Sequence, residues 1–219
     1  NDNIINGRIR GVAGVVGCNN ARTKHNEAHI TVVKELIKND VLVLQTGCSQ
    51  VALAKEGLYT PEAAYLAGPG LREVCETVGM PPCLGIGSCV DNSRILIAAS
   101  EMVRIGGLGD CIADLPAAGA APEWMSEKAI SIGQYFVASG VFTVFGVTFP
   151  IVKETKFHRH LFQGLEEQGL GKWGFTADPY EMARMMIAHI DKKRQALGLD
   201  KGKERILVDM ADRRALDAA

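Results

Sequence analysis

Short continuous apolar runs alternate along the chain with stretches in which apolar residues recur every three or four positions, the pattern of buried strands joined by amphipathic helices. The runs Ile9–Gly17, Val41–Leu44, Cys83–Ile86, Leu115–Ala121 and Val141–Val147 read as buried strands, and Trp173–Phe175 as a short edge strand. Between the first two, Glu27–Asn39 puts Ile30, Val32, Val33, Leu36 and Ile37 on one helical face, and Asn39-Asp40 ends it. Further helices are expected over Ser49–Glu56, from Thr60-Pro61-Glu62 onward, and over Leu71–Val78, Asp91–Ile105, Pro122–Ser139 and Lys153–Gln168. The last is expected from Asp178-Pro179 to about Leu197. Residues 1–7 read as an extended lead-in, Asn19–Asn26 as a polar loop, and the tail from Asp200 as charged and partly helical. No linker, repeat or low-complexity segment interrupts the alternation. The expected fold is one Rossmann-like α/β domain over residues 1–219, a mostly parallel sheet with helices on both faces.

Composition narrows the function classes. At 219 residues and 47% hydrophobic content the chain has ample material for a core. Lys plus Arg total 24 against 25 Asp plus Glu, so charge gives no broad case for binding nucleic acid or an anionic membrane. No run approaches the roughly 18 apolar residues of a spanning helix, and the first residues lack a basic, then apolar, export signal. A cytoplasmic setting is expected. The chain opens on Asn1, a few residues before an apolar strand, which suggests a piece of a longer subunit.

Six cysteines are many for a reducing compartment in a chain too long to need disulfides for folding, so metal or redox chemistry gains weight. No CxxC pair is present, which disfavours zinc-ribbon and thioredoxin-type readings. Three of the six share one setting. In Val16-Gly17-Cys18-Asn19, Thr46-Gly47-Cys48-Ser49 and Gly87-Ser88-Cys89-Val90 a strand ends at glycine, delivers a thiol and passes into polar residues ahead of a helix. In an open parallel sheet the binding crevice lies outside the carboxyl ends of the strands, so neighbouring strands would bring Cys18, Cys48 and Cys89 to one edge. Helix starts there are expected to lower thiol pKa values and favour metal-binding thiolates. Taken singly, each cysteine is a small buried hydrophobe; three in one setting point to a metal or redox site. Cys75, Cys83 and Cys111 read as structural.

Other motifs carry less. Gly11-x-x-Gly14-x-x-Gly17 lies inside a strand and is not GxGxxG, and no acid ends the second strand, which disfavours dinucleotide binding. His158 and His160 face apart on a helix and read as solvated. Lys128 falls in the first turns of a helix, where a cation gains nothing from the dipole. It is either a plain surface residue or a group held at a pocket to donate to an anionic ligand and move protons.

Taken in order, Val15-Val16-Gly17-Cys18-Asn19-Asn20, Gln45-Thr46-Gly47-Cys48, Gly87-Ser88-Cys89-Val90-Asp91-Asn92-Ser93-Arg94 and Pro122-Glu123-Trp124-Met125-Ser126-Glu127-Lys128-Ala129 resemble the C-terminal Rossmann-like domain of nickel-containing carbon monoxide dehydrogenases. That family is akin to the hybrid-cluster, or prismane, proteins. The resemblance implies an enzyme interconverting carbon monoxide and water with carbon dioxide, two protons and two electrons. It implies Cys18 and Cys48 on iron and Cys89 on nickel of a nickel-iron-sulfur cluster, Lys128 as the substrate-bonding and proton-transfer lysine, and Ile132 as an apolar wall of the gas pocket. It also implies a histidine and two further cysteines as cluster ligands, a proton-relay histidine and additional 4Fe-4S clusters, all from an upstream region. His25 and His29 do not match that region's motif. The implied partners are the remainder of the subunit, a second subunit in a homodimer, a ferredoxin-like electron carrier and an acetyl-CoA synthase subunit. The isolated chain is expected to be inactive. Two other readings stand beside this one: a hybrid-cluster-type reductase domain, and a non-catalytic Rossmann-like interaction domain whose cysteines only pack.

Overall fold

The apolar runs form six parallel strands: β1 (Gly11–Val15), β2 (Val41–Thr46), β3 (Cys83–Gly87), β4 (Ala117–Ala121), β5 (Phe142–Phe145) and β6 (Trp173–Phe175). The structure, a computed structural model, describes residues 1–147 and 155–200. The strands pair in the order β3-β2-β1-β4-β5-β6, that of a doubly wound dinucleotide-type sheet. The expected parallel α/β architecture is borne out, with β1, β2 and β3 as neighbours. The connections carry helices α1 (Asp2–Ile5), α2 (Glu27–Lys38), α3 (Gly47–Lys55), α4 (Pro69–Val78), α5 (Asn92–Ile105) and α6 (Glu127–Ala138). After β5 come α7 (Lys156–Arg159), a π-helical segment His160–Gly164 and α8 (Leu165–Glu167); α9 (Pro179–Ala196) follows β6.

Strand alternation sorts β1 onto two cores. Ala13 and Val15 join the larger cluster with Val32, Val33, Leu36 and Ile37 of α2 and Met182, Met186 and Ile190 of α9. Val16 faces the other way, into a cluster with Ile95 and Leu96 of α5, Phe136 and Val137 of α6, Phe145 and Trp173. Burying each of the larger of these side chains stabilises the fold by about 1.5–3 kcal/mol. The backbone approaches closely at Gly11: a Cβ there would collide with the Pro116 carbonyl oxygen and lie 2.6 Å from Ile190.

Several boundaries differ from expectation. Residues 2–5 are a helical turn rather than extended, too short to show any periodicity. Pro61–Leu66 is a 3-10 helix. The helix expected over Pro122–Ser139 begins only at Glu127, and the preceding residues form the loop that enters it. The helix expected over Lys153–Gln168 is broken by the π segment, and its first two residues, like the tail beyond Asp200, lie outside the described residues. Among the described residues no helix is long and apolar enough to cross a membrane.

Candidate metal centre

Register brings the three thiols level. Val15 pairs with Gln45, and Cys18 and Cys48 each stand three residues further on. Thr46 pairs with Gly87, and Cys48 and Cys89 each stand two residues further on. The second match depends on an irregularity: β3 fits one extra residue between the partners of Gln45 and Thr46. Without that bulge Ser88, not Cys89, would stand level with Cys48.

Direct contacts close the cluster of loops. The Ser49 amide donates to the Gly17 carbonyl over 3.4 Å. Gly47, at φ +65°, leaves the space that the Cys89 sulfur fills: a Cβ on residue 47 would lie 2.7 Å from Sγ. Cys18 and Cys89 are half-buried and Cys48 is exposed.

Beneath the thiols lies a layer of buried polar side chains. The Thr46 hydroxyl donates to Asn92 Oδ1 (2.9 Å), and Asn92 Nδ2 donates to the Cys89 carbonyl (2.7 Å), which ties β2 to the Cys89 turn. Gln45 donates to Ser49 Oγ (2.8 Å) and accepts from the Tyr59 hydroxyl (2.8 Å). In the Cys89 segment, Asp91 accepts from the Ser88 amide (2.7 Å) and pairs with Arg94 (3.2 Å), whose guanidinium also donates to the Ile86 carbonyl. Asp91 precedes α5 as expected, but its carboxylate closes the 3-10 turn Cys89–Asp91 rather than capping α5. The Ser-Cys-Val-Asp-Asn-Ser-Arg run is thus a folded turn that presents one sulfur.

Cys18 is held from two sides. Its Sγ lies 3.5 Å from the Ser126 hydroxyl, at the start of α6. Its carbonyl accepts from His29 Nε2 (2.9 Å) on α2. Burial acts to raise the Cys18 thiol, but hydrogen bonds from the Ser126 side chain and the Met125 and Ser126 amides, with the charge of Lys128, bring it below its ordinary value. Cys89 moves the opposite way: burial raises it, and the neighbouring Cys18 and Cys48 raise it further, against Lys128. At Cys18 and Cys89 the expectation of thiols lowered by helix starts is therefore corrected. Cys18 is followed by the loop ahead of α2 and owes its lowering to residues 125–128, while at Cys89 desolvation and neighbouring thiolates outweigh the short 3-10 turn.

Lys128 is the second residue of α6, exposed on the same edge, and acts electrostatically on both Cys18 and Cys89. Ile132, one turn on, packs partly against the second core cluster. Cys75 and Cys83 are buried, with thiols pushed up by burial to about 11 and about 12, and Cys111 is an exposed turn residue bonded to Asp114, so all three lie apart from the edge as expected. His158 packs against Phe162, with ring centroids 4.7 Å apart, and has no part in the thiol edge. Among the described residues no three His, Cys, Asp or Glu side chains close around a single ion.

Sequence reasoning passed over Glu123 and set His29 aside. Both are fully buried, and both hold the Cys18 loop. A signal existed for Glu123, an acid two residues after the buried strand run that ends at Ala121; for His29 it was an imidazole among the apolar positions of α2.

The profile of the prismane/CO dehydrogenase family matches residues 1–180. The chain belongs to that family. "Carbon monoxide dehydrogenase 1" of Methanosarcina mazei is 52% identical over 199 residues, covering 91% of this chain and 31% of that protein. Among solved structures of the family, the nickel-free carbon monoxide dehydrogenase of Thermococcus sp. AM4 superposes with a TM-score of 0.85 at 52% identity, over 89% of this chain and 30% of that one. A structure of acetyl-CoA synthase/carbon monoxide dehydrogenase, described as holding NiZn[Fe4S4] and NiNi[Fe4S4] clusters in its alpha subunits, matches with a TM-score of 0.81 at 33% identity, over 90% and 30%. The chain thus spans about a third of the length of the relatives it matches.

Proposed function

We propose that this chain is the part of a carbon monoxide dehydrogenase catalytic subunit that supplies three thiolates and a lysine to a nickel-iron-sulfur site. The reaction is the reversible conversion of carbon monoxide and water to carbon dioxide, two protons and two electrons. One observation carries the reading: Cys18, Cys48 and Cys89 stand level on one sheet edge, from three adjacent strands, with Lys128 on the adjoining helix start.

The donor set fits the group. Sulfur is the ligand that nickel and iron-sulfur clusters favour. Three thiols from the ends of separate strands, which do not close on one ion, suit metals spread through a cluster. At Cys89 burial first, then the charges of neighbouring thiolates, oppose ionisation, and a cationic centre is what relieves that opposition. When bound, the cluster supplies Lewis-acid activation of carbon monoxide and water together with two-electron redox capacity.

The chain's own residues then have distinct tasks. Cys18 and Cys48 ligate iron and Cys89 ligates nickel. Lys128 holds a proton at Nζ, donates it as a hydrogen bond to the substrate oxygen on which negative charge develops, and passes it on during turnover. Ile132 forms part of the apolar wall of the gas pocket. The remaining ligands, the proton-relay histidine and the electron-transfer 4Fe-4S clusters come from the rest of the subunit. We place the enzyme in the cytoplasm as a homodimer, passing electrons to a ferredoxin-like carrier, with an acetyl-CoA synthase subunit as a further partner. Since these thiols form part of a ligand shell, the isolated chain carries no turnover.

The test is anaerobic purification of the full-length subunit, nickel and iron analysis, and a viologen-linked carbon monoxide assay. Wild-type protein is expected to hold both metals and oxidise carbon monoxide; Cys89→Ala is expected to lose nickel and activity together. A colourless, metal-free wild-type subunit would sink the proposal in favour of a domain whose cysteines only pack.

A further inference from the structure

Two fully buried ionisable side chains stand under the thiol edge, and neither reaches a sulfur. Glu123 lies in the loop between β4 and α6. Its Oε1 accepts from the Ala28 amide (3.0 Å), and its Oε2 from the Asn26 amide (3.3 Å) and Asn19 Nδ2 (3.1 Å). Asn26 precedes α2 with φ 66° and makes no side-chain cap, so Glu123 supplies from a distant loop the acceptor that this helix start lacks. His29 follows in the first turn of α2. Because a carbonyl only accepts, the contact to Cys18 places the imidazole proton on Nε2; Nδ1 is then a buried acceptor with no partner among the described residues. A ring that leaves one nitrogen unmet costs stability relative to an apolar side chain, so packing does not account for a histidine here. What it contributes is one directed bond to the backbone of Cys18.

The contacts close a ring. Glu123 fixes the start of α2, α2 carries His29, His29 fixes the Cys18 carbonyl, and the Cys18 sulfur returns to Ser126, three residues after Glu123. Lys128 extends from the same stretch. We propose that His29 and Glu123 are positioning residues that lock Cys18 in register with the helix start bearing Lys128. The lock itself is a property of the protein; its consequence for metal binding rests on the function proposed above.

The experiment uses the full-length subunit, first stripped of metal, with iodoacetamide labelling of Cys18 and Cys48 followed by mass spectrometry. His29→Leu removes the donor at similar volume, His29→Gln keeps an N–H donor, and Glu123→Gln replaces one of two acceptor oxygens with a donor. Cys18 in His29→Leu and Glu123→Gln is expected to label about fivefold or more faster relative to Cys48, as the loop opens locally. His29→Gln should stay close to wild type. The double variant should be non-additive, because either change breaks the same ring. Circular dichroism and the melting temperature check that the fold persists, as the core residues of α2 imply it should.

Metal-reconstituted samples give the second readout, the paramagnetic resonance signal of the cluster, expected to broaden or shift in His29→Leu and to recover in His29→Gln. If folded His29→Leu and Glu123→Gln label like wild type, the ring is overturned whatever the metal content. If labelling responds as expected in a subunit that never takes up nickel or iron, the ring stands and the metal reading falls.

Discussion

The two edges of the sheet bury polar groups for opposite ends. At the amino edge, Arg194 is 8% exposed and spreads one guanidinium over four carbonyls: Ile4 (2.8 Å), Ile9 (3.5 Å), Arg10 (3.1 Å) and Leu199 (3.0 Å). That single side chain staples α1, the entry to β1 and the turn after α9. Beside it Arg10 makes a two-pronged pair with Asp191, both bonds 2.7 Å. At the carboxyl edge the buried groups are amides, hydroxyls, His29 and Glu123, which bond one another and the loops. The Arg194 staple spends its donors on backbone, and the Arg10–Asp191 pair closes on itself. The second holds turns still while leaving three sulfurs half-buried or exposed. Buried polar bonding thus stabilises at one edge and pre-organises at the other.

The largest effect expected to separate the edges is that of Lys128→Ala in the full-length subunit. Lys128 is exposed and makes no ion pair among the described residues, so its loss should leave melting temperature and metal content unchanged. Turnover should fall about 10²–10⁴-fold, the range for removing a positioned proton-transfer group. Steady-state viologen kinetics alongside metal analysis check it; unchanged turnover would make Lys128 a plain helix-start residue.

Arg194→Met is the counterpart at the amino edge. It keeps an unbranched apolar stem but strips a donor set from carbonyls in a buried site, at a cost of about 2–4 kcal/mol. The denaturant midpoint should drop accordingly while Cys18 and Cys48 keep their labelling rates below the transition. Altered labelling there would mean that the edges are coupled through β1.

What the sequence disclosed follows the same division. Continuous apolar runs announced five of the six strands because a parallel sheet covered on both faces has no polar side to obscure them. The three thiols were legible because each stands two or three residues past the end of its strand. Neither staple nor ring was. Most of their bonds join residues 95 to 190 positions apart, and no local period marks Glu123, His29 or Arg194 as partners of anything. The bulge in β3 was hidden for another reason: one added residue leaves the Cys83–Gly87 run looking like any other short strand, yet it decides whether serine or cysteine stands level with Cys48.

The amino edge should also carry part of the acid sensitivity, beside His29 at the carboxyl edge, whose pKa burial likewise lowers. His189 stacks on Phe142, with centroids 4.9 Å apart, and burial first, then the charges of Lys193 and Lys192, push its pKa from 6.5 down to about 4. The folded state therefore holds His189 neutral where the unfolded chain takes up a proton. Its contribution is intact above pH 6.5, declines as pH falls toward about 4 and then levels off. After allowance for its partial exposure the loss is about 2 kcal/mol. Urea titrations at stepped pH should show that slope, and His189→Leu should reduce it without altering Cys18 labelling.

The smallest expected effect sharpens the comparison most, because it uses the same chemical group. Cys75 is 1% exposed within α4, and burial pushes its thiol up to about 11, so it stays protonated at neutral pH and offers no thiolate to a metal. Cys89 carries the same sulfur, also raised by burial, but at an edge where neighbouring thiols and Lys128 surround it. Cys75→Ala removes one buried atom from the larger core and should cost about 1 kcal/mol, as other one-atom core deletions do. Nickel content and carbon monoxide oxidation of the full-length subunit should not change, in contrast to Cys89→Ala. Loss of nickel in Cys75→Ala would show that the ligand set is not read from the carboxyl edge at all, and the distinction between a packing sulfur and a presented one would fail.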